Sequence, residues 1–272
     1  MRGQPTMKVW SVCSGSSGNC YLVLDGKTLL LLEAGIGVRR LEQEMGHLRL
    51  CPSHLSAVLA THEHTDHWQS AAAMARRAGV PLVCSPGSWK SISAGEPRPD
   101  HHPLQADQSC VIGSIEVESF AVPHDAREPL GFIIRGGGAT ICLATDMGLM
   151  PDQVVERARG ADLVILEANH DVQMVKRGPY PAYLKSRILG SRGHLSNEDA
   201  GNTIVRMAQG RPKEYWLAHL SNTNNTPKVA LNTVQSVLKL EGLAGLKLSV
   251  ALRDRRSLFW DSEGELAQLS LF

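Results

Sequence analysis

Long apolar runs are missing from this sequence. The longest, at residues 28–32 and 162–166, are strand-sized and far below the roughly 20 residues that span a bilayer, so no membrane segment is expected. The opening MRGQPTMKVW carries two positive charges but no apolar stretch of signal-peptide length, which argues against export and for a cytoplasmic setting. An excess of one charge is missing too: 28 Lys+Arg face 27 Asp+Glu, a formal charge of +1. No global field draws the chain to nucleic acid or anionic lipid, and any such binding needs a local patch. The six cysteines (Cys13, Cys20, Cys51, Cys84, Cys110 and Cys142) include no CxxC pair. They read as reduced, buried thiols, not as a disulfide framework or a cysteine zinc site. A Walker loop, a fixed-period repeat and a low-complexity tract are all absent,.

What is there is a chain of 272 residues, 43% hydrophobic, enough to bury a large core as one domain over residues 1–272. Short leucine-rich or β-branched runs alternate with helical patterns. Residues 8–12, 20–24 and 28–33 read as opening strands, the last two joined at Asp25-Gly26 as a hairpin. Residues 38–48 read as a helix, 56–61 as a buried strand, and the alanine-rich 68–79 as a helix stopped by Gly79 and Pro81. Farther on, 152–160 is helical and 161–169 a buried strand. Ser196 with Asp199 opens a helix through about Ala208, and Thr226-Pro227 opens another toward Leu240. Residues 247–253 and 256–260 look like a closing hairpin. Hairpins and helices alternate throughout, so the expected class is α+β, two sheets packed together with helices outside.

Histidine is the unusual component: eleven residues, three of them packed into Thr61-His62-Glu63-His64-Thr65-Asp66-His67. The motif follows a strand and precedes a helix. A strand running into a loop projects residues two apart to one side, so His62 and His64 can share one ion. Asp66 and His67, at the loop–helix junction, can turn toward a second. Imidazole nitrogen suits zinc or iron, and a carboxylate adds a hard oxygen. Glu63 alternates away from the ligands; a Glu at position 64 would instead suggest a di-iron oxygen-reducing site.

At these residues the chain resembles the metallo-β-lactamase superfamily, whose defining motif is HxHxDH after a strand. The resemblance continues through Val122-Pro123-His124-Asp125, Ala144-Thr145-Asp146-Met147-Gly148 and Leu217-Ala218-His219-Leu220-Ser221. It narrows to the YycJ-like (WalJ-like) branch, related to the tRNA 3′-processing nucleases, on residues 13–20 (CSGSSGNC), the PHDA stretch at His124, Leu166–Asp171 (LEANHD), Gly193–Asn197 (GHLSN) and Asn224-Asn225. The resemblance implies a four-layer αββα sandwich and two divalent ions, zinc above manganese or iron. His62, His64 and His124 would hold one ion, Asp66, His67 and His219 the other, and Asp146 would bridge them. Such a pair activates a shared water. His194 in GHLSN would protonate the leaving group, work that imidazole suits, and Asp66 joins it in the catalytic set. Glu33 stands where the branch has an aspartate beneath the metal histidines, and His170 is expected to back the ligands without touching an ion.

For substrate, the implied activity is a nuclease acting on a nucleic acid, a 5′-to-3′ exonuclease on double-stranded DNA in this branch. Ser16 and Asn19 in the Gly/Ser loop, and Asn225, are expected to border the cleft and contact phosphate. Lys176, Arg177, Lys185, Arg187 and Arg192 cluster before His194, and residues 172–192 contain no Asp or Glu. Lys185, Arg187 and Arg192 are the expected contacts to the phosphate backbone, with only Tyr180 and Tyr183 as stacking partners. His47, His54, His101 and His102 read as surface residues, a third metal at His101-His102 being the alternative. Two other readings stand beside the nuclease: a hydrolase of a small ester, thioester or lactam on the same metals, and a non-catalytic binding module. Degenerate modules lose ligands, and here all seven matching positions are filled,.

Overall fold

The computed structural model describes residues 6–92, 96–208 and 214–263. The first half of the chain supplies β1 (Met7–Cys13), β2 (Cys20–Asp25), β3 (Thr28–Leu32), β4 (Leu55–Leu59), β5 (Leu82–Cys84) and β6 (His101–Pro103). The second supplies β7 (Ser109–Ile112), β8 (Ile115–Ala121), β9 (Leu130–Gly136), β10 (Ala139–Ala144), β11 (Leu163–Glu167), β12 (Glu214–Ala218) and β13 (Lys247–Val250), and β14 (Leu258–Asp261) follows. Among the described residues these form two seven-stranded sheets, ordered β14-β1-β2-β3-β4-β5-β6 and β13-β12-β11-β10-β9-β8-β7.

Each sheet changes character partway across. β1, β2 and β3 are antiparallel, whereas β3 to β6 run parallel. In the second sheet β7 to β10 are antiparallel and β10 to β13 parallel. The parallel members β3, β11 and β12 are buried at every position, which is why their sequences read as continuous apolar runs without alternation.

One apolar layer, including Tyr21, Leu30, Phe132, Ile134, Ile165 and Trp216, lies between the sheets. A second packs the outer face of the first sheet against α1 (Val38–His47) and the paired helices α2 (Thr65–Trp68) and α3 (Ala71–Ala78). After the short α4 (Pro86–Trp89), the second sheet is covered by α5 (Asp152–Ala158), by α8 (Asn197–Met207) and by α9 (Pro227–Leu240). Between β11 and α8 run α6 (Val172–Arg177) and α7 (Ala182–Ile188), short helices that the sequence reading did not resolve. The expected αββα sandwich is therefore present. Ser196 accepts from the Asp199 amide at the start of α8, and Thr226 accepts from the Val229 amide at the start of α9, as their capping patterns suggest,. Among the described residues no helix is long and apolar enough to cross a membrane.

Two expectations need correction. Residues 68–79 are not one helix: α2 begins earlier, at Thr65, and the chain breaks before α3, where the Ser70 hydroxyl and amide donate to Ile36 O and Ala34 O. That break lets Asp66 and His67 ride on their own turn. The closing segments are not a hairpin either. β13 pairs parallel with β12 in the second sheet, and β14 pairs antiparallel with β1 in the first. The connector between them is stitched to both: Ala251 N donates to Leu217 O, Ser14 N to Leu252 O, and Ser257 N to Ser11 O. Two apolar runs around a polar turn mimic a hairpin, but the partners that satisfy the backbone lie elsewhere.

Phe132, fully buried between the sheets, tests this core. Phe132→Ala should cost about 3–5 kcal/mol of unfolding free energy in denaturant titration; a loss below about 1 kcal/mol would show that the intersheet layer is not packed as described.

Candidate metal centre

The strand ends of both sheets meet at one edge of the sandwich. β4 delivers His62 and His64, and α2 turns Asp66 and His67 inward behind them. From the second sheet, the loop after β8 brings His124, the end of β10 brings Asp146, and the end of β12 brings His219. Asp146 and His219, with Glu33 after β3, occupy left-handed backbone at φ 57°, 55° and 62°. For residues with a Cβ this conformation costs about 1–2 kcal/mol, and such outliers collect where a site demands them. Here it reverses the chain just beyond each strand. Gly35 allows a matching close approach: a Cβ there would collide with the Asp66 carbonyl.

The donor atoms fall into overlapping groups, each within 4.8 Å: His62, His64 and His124; Asp66, His67 and His219; His62, His67 and Asp146; and Asp146, Glu167, His194 and His219. Asp146 stands between the two triads, its Oδ2 3.0 Å from His67 Nε2 and its Oδ1 3.7 Å from His124 Nε2. The structure thus brings together all seven residues singled out as ligands.

Outward-facing partners fix the rings. His67 Nδ1 donates to Glu33 Oε2 at 3.0 Å, and Glu33 Oε1 accepts from the Thr61 amide. His219 Nδ1 and His194 Nδ1 both donate to Glu167 Oε1 at 2.8 Å, while Glu167 Oε2 accepts from the amides of Met147 and Leu195. His124 Nδ1 donates to Gly193 O at 3.1 Å, and His62 Nδ1 meets Thr61 Oγ1 at 2.9 Å. A histidine held this way carries its proton on Nδ1 and presents the Nε2 lone pair inward. Glu63 points away, accepting from Ser88 Oγ and the Arg127 amide.

The inward face fits cations. His62 Nε2 is buried without a hydrogen-bond partner. His124 Nε2 and His64 Nδ1, both acceptors in the ligating tautomers, lie 3.3 Å apart. His219 Nε2 faces Asp66 Oδ2 at 3.1 Å, a lone pair against a carboxylate unless a positive charge intervenes. Electrostatics say the same. Burial lowers His62 well below the ordinary imidazole value. Burial also disfavours charge on His67 and His219, yet Asp146 with Glu33 raises His67 well above the usual value, and Asp146, Asp66 and Glu167 raise His219 to about 10. Burial likewise opposes ionisation of Asp66, Asp146 and Glu167, but the surrounding imidazoles hold all three below the usual carboxylate range, Glu167 at about 2. Ionised carboxylates among imidazoles whose inward nitrogens are bare or carry a proton that a metal can displace are the donor set of divalent metal ions.

A cleft of about 230 Å³ opens over this cluster. Ser16, Arg187 and Arg192 line it, as does an apolar wall of Tyr180, an expected stacking partner, with Leu184 and Ile188, which sequence reasoning missed. Leu184, Arg187 and Ile188 share one face of α7 at i, i+3 and i+4 spacing. Lys185 sits off that face and its Nζ donates to Lys176 O, so its expected cleft contact is corrected. The charge on Arg187 is not unpaired: Asp125, from a different loop, is 2.9 Å away. Arg192 clamps His124 O through Nε and Nη2.

Asn19 and Asn225 are also corrected, because both are buried inside the structure. The Asn19 side chain binds Gly15, the Asp66 carbonyl and His67 Nε2. The Asn225 amide binds Ala168 O, Asn169 O and Asn197. His170 is buried with Nδ1 unpartnered, and burial lowers it to about 4. His101 and His102 lie on β6, where His101 stacks on Trp89 at 4.1 Å, and they belong to no metal-donor group among the described residues. Glu167 is the main omission: its one signal was a carboxylate ending an otherwise apolar buried strand.

A β-lactamase superfamily domain profile matches residues 28–220. The chain belongs to the metallo-β-lactamase superfamily. Within it the chain falls in the WalJ/YycJ group: it is 33% identical over 232 residues to exodeoxyribonuclease WalJ of Streptococcus pneumoniae, covering 84% of this chain and 86% of that one. It is also 33% identical over 234 residues to exodeoxyribonuclease YycJ of Bacillus anthracis, covering 85% and 89%. Among solved structures, the metallo-β-lactamase fold protein YhfI of Bacillus subtilis superimposes with a TM-score of 0.71 at 19% identity, over 95% of this chain and 100% of that one. The chain is thus a metal-dependent hydrolase.

Because His67 and His219 are held protonated in the metal-free protein at neutral pH, loading must displace those protons. Calorimetric titration of the stripped protein in buffers of different ionisation enthalpy should register about two protons released per chain at pH 7. Affinity should rise with pH until His219 titrates near 10. Metal uptake without proton release would contradict this picture.

Proposed function

We propose that this chain, as a single domain over residues 1–272, is a dinuclear metal-dependent phosphodiesterase that degrades DNA from an end. The observation that carries the reading is the pair of donor triads with Asp146 between them on the floor of a cleft walled by Arg187 and Arg192. The exodeoxyribonuclease activity named for its relatives supports the substrate. The buried thiols of Cys13, Cys20 and Cys84 support a cytoplasmic location,.

His62, His64 and His124 would hold one ion, Asp66, His67 and His219 the second, and Asp146 both. The predominance of imidazole donors favours zinc over manganese or iron. When bound, such a pair lowers the pKa of a shared water and neutralises charge that builds on the phosphoryl oxygens. His194 borders the cleft between His124 and His219, with ring centroids at 5.1 Å and 5.3 Å. Its Nδ1 is anchored on Glu167, which orients Nε2 to protonate the departing oxygen. Arg187 and Arg192 hold the phosphate, and Tyr180 offers a face to the terminal base.

Elemental analysis followed by digestion of end-labelled single- and double-stranded DNA and RNA tests the reading. Stepwise loss from DNA ends supports it. Hydrolysis confined to small esters or lactams, insensitive to ionic strength, would replace it. Asp146→Ala should abolish hydrolysis and drop metal content below about two ions per chain. His194→Ala should keep its metal and slow turnover by about 10²–10⁴; if metal leaves with it, His194 is a ligand.

A further inference from the structure

Beside the metal cleft lies a second cleft, of about 300 Å³. The two are separated by a ridge built where Gly15 bridges Leu220 in parallel. Residues alternate across paired segments, and they do so here. Ser16, His219 and Ser221 face the metal cleft, whereas Ser17, Leu220 and Asn222 face the second. The far wall of the second cleft comes from the connector between β13 and β14 and carries Arg253, Asp254 and Arg255.

This cleft is built for an anion. Arg253 packs its stem so closely on Gly15 that a Cβ there would lie 2.5 Å from Arg253 Cγ. Its Nη1 donates to Ser221 O at 2.9 Å and to Asn225 O at 3.5 Å. That anchors the guanidinium on the loop that follows His219. Among the described residues its Nε and Nη2 have no hydrogen-bond partner, and neither does exposed Arg255. Two cations thus face one carboxylate, Asp254, whose own backbone carbonyl is held by Arg40 Nη2 at 2.6 Å. Ser17 and Asn222, both exposed, add neutral donors. Fork-shaped guanidinium donors without a protein partner suit phosphate oxygens.

We infer that this second cleft takes a backbone phosphate of the DNA strand being cut, so that the strand crosses the Gly15–Leu220 ridge between the metal centre and Arg253 and Arg255. The assignment rests on the phosphodiesterase reading above and adds a contact that reading does not require. It makes affinity depend on chain length: a diester too short to cross the ridge gains nothing from the cleft.

The test uses the metal-loaded full chain carrying Arg255→Ala, Arg255→Glu or Arg255→Lys, Arg255 being exposed and without a hydrogen bond or ion pair among the described residues. Steady-state kinetics on a DNA oligonucleotide across a salt series is compared with bis(p-nitrophenyl) phosphate, a diester too short to reach the cleft. Arg255→Glu should raise the oligonucleotide KM about five- to tenfold with little change in kcat, and Arg255→Ala should reduce the salt slope of binding by about 1. Arg255→Lys should restore most of the affinity, and the short diester should keep its wild-type kcat/KM with unchanged metal content. An unaltered oligonucleotide KM and salt slope in Arg255→Glu, with wild-type enzyme digesting DNA, overturns the inference and leaves the phosphodiesterase reading standing. An equal loss on the short diester also overturns it, since the substitution would then act through the metal centre. If wild-type enzyme hydrolyses the short diester but no nucleic acid, DNA as the substrate falls and this inference with it.

Discussion

A carboxylate buried to 2% exposure among imidazoles sets the terms for the rest of the site. Asp146 cannot be neutralised by solvent, and an isolated ionised carboxylate in such a place would be prohibitively costly. Its compensation has to come from His62, His67, His124 and His219, and from the cations those rings are arranged to hold. Everything outside follows from aiming the rings. Glu33 and Glu167 perform matching tasks, one behind His67 and the other behind His219 and His194. The charge that anchors His194 also anchors His219, so the proposed proton donor and the proposed ligand are mechanically joined through Glu167.

Much of the centre was legible in the chain because its parts are local. HxHxDH, His124, Asp146 and His219 each follow a strand pattern that can be read without neighbours. Their grouping was not local: His219 Nε2 and Asp66 Oδ2 meet across 153 positions, and only likeness to a known family supplied that closure. The left-handed turns at Glu33, Asp146 and His219 carry no glycine or asparagine to announce them. Glu167 lies inside the LEANHD motif, but nothing in LEAN says that both its oxygens face inward.

The misreadings share a cause. Residues 247–253 and 256–260 read as a hairpin because local turn chemistry allows it, while their backbone partners lie on β12 and β1. Asn19 and Asn225 looked like substrate contacts because amides in Gly- and Ser-rich loops commonly bind phosphate. In the folded chain their hydrogen bonds are consumed in tying loop to loop. Lys185 and Arg187 are two positions apart in the sequence, but α7 sends them in different directions.

The sheet order has a further meaning. Each sheet passes from antiparallel to parallel at one strand, β3 in the first and β10 in the second, and each of those strands is followed by an acidic residue in the left-handed conformation. The chain is in this sense two half-molecules of like design, in which Glu33 became a buttress and its counterpart Asp146 a ligand. Both donor triads draw two members from the first half and one from the second, so neither half owns a complete coordination sphere. On the proposed ligand assignment, metal occupancy would act as a rivet across the seam of the sandwich, coupling the cohesion of the protein to the same ions that equip it for hydrolysis.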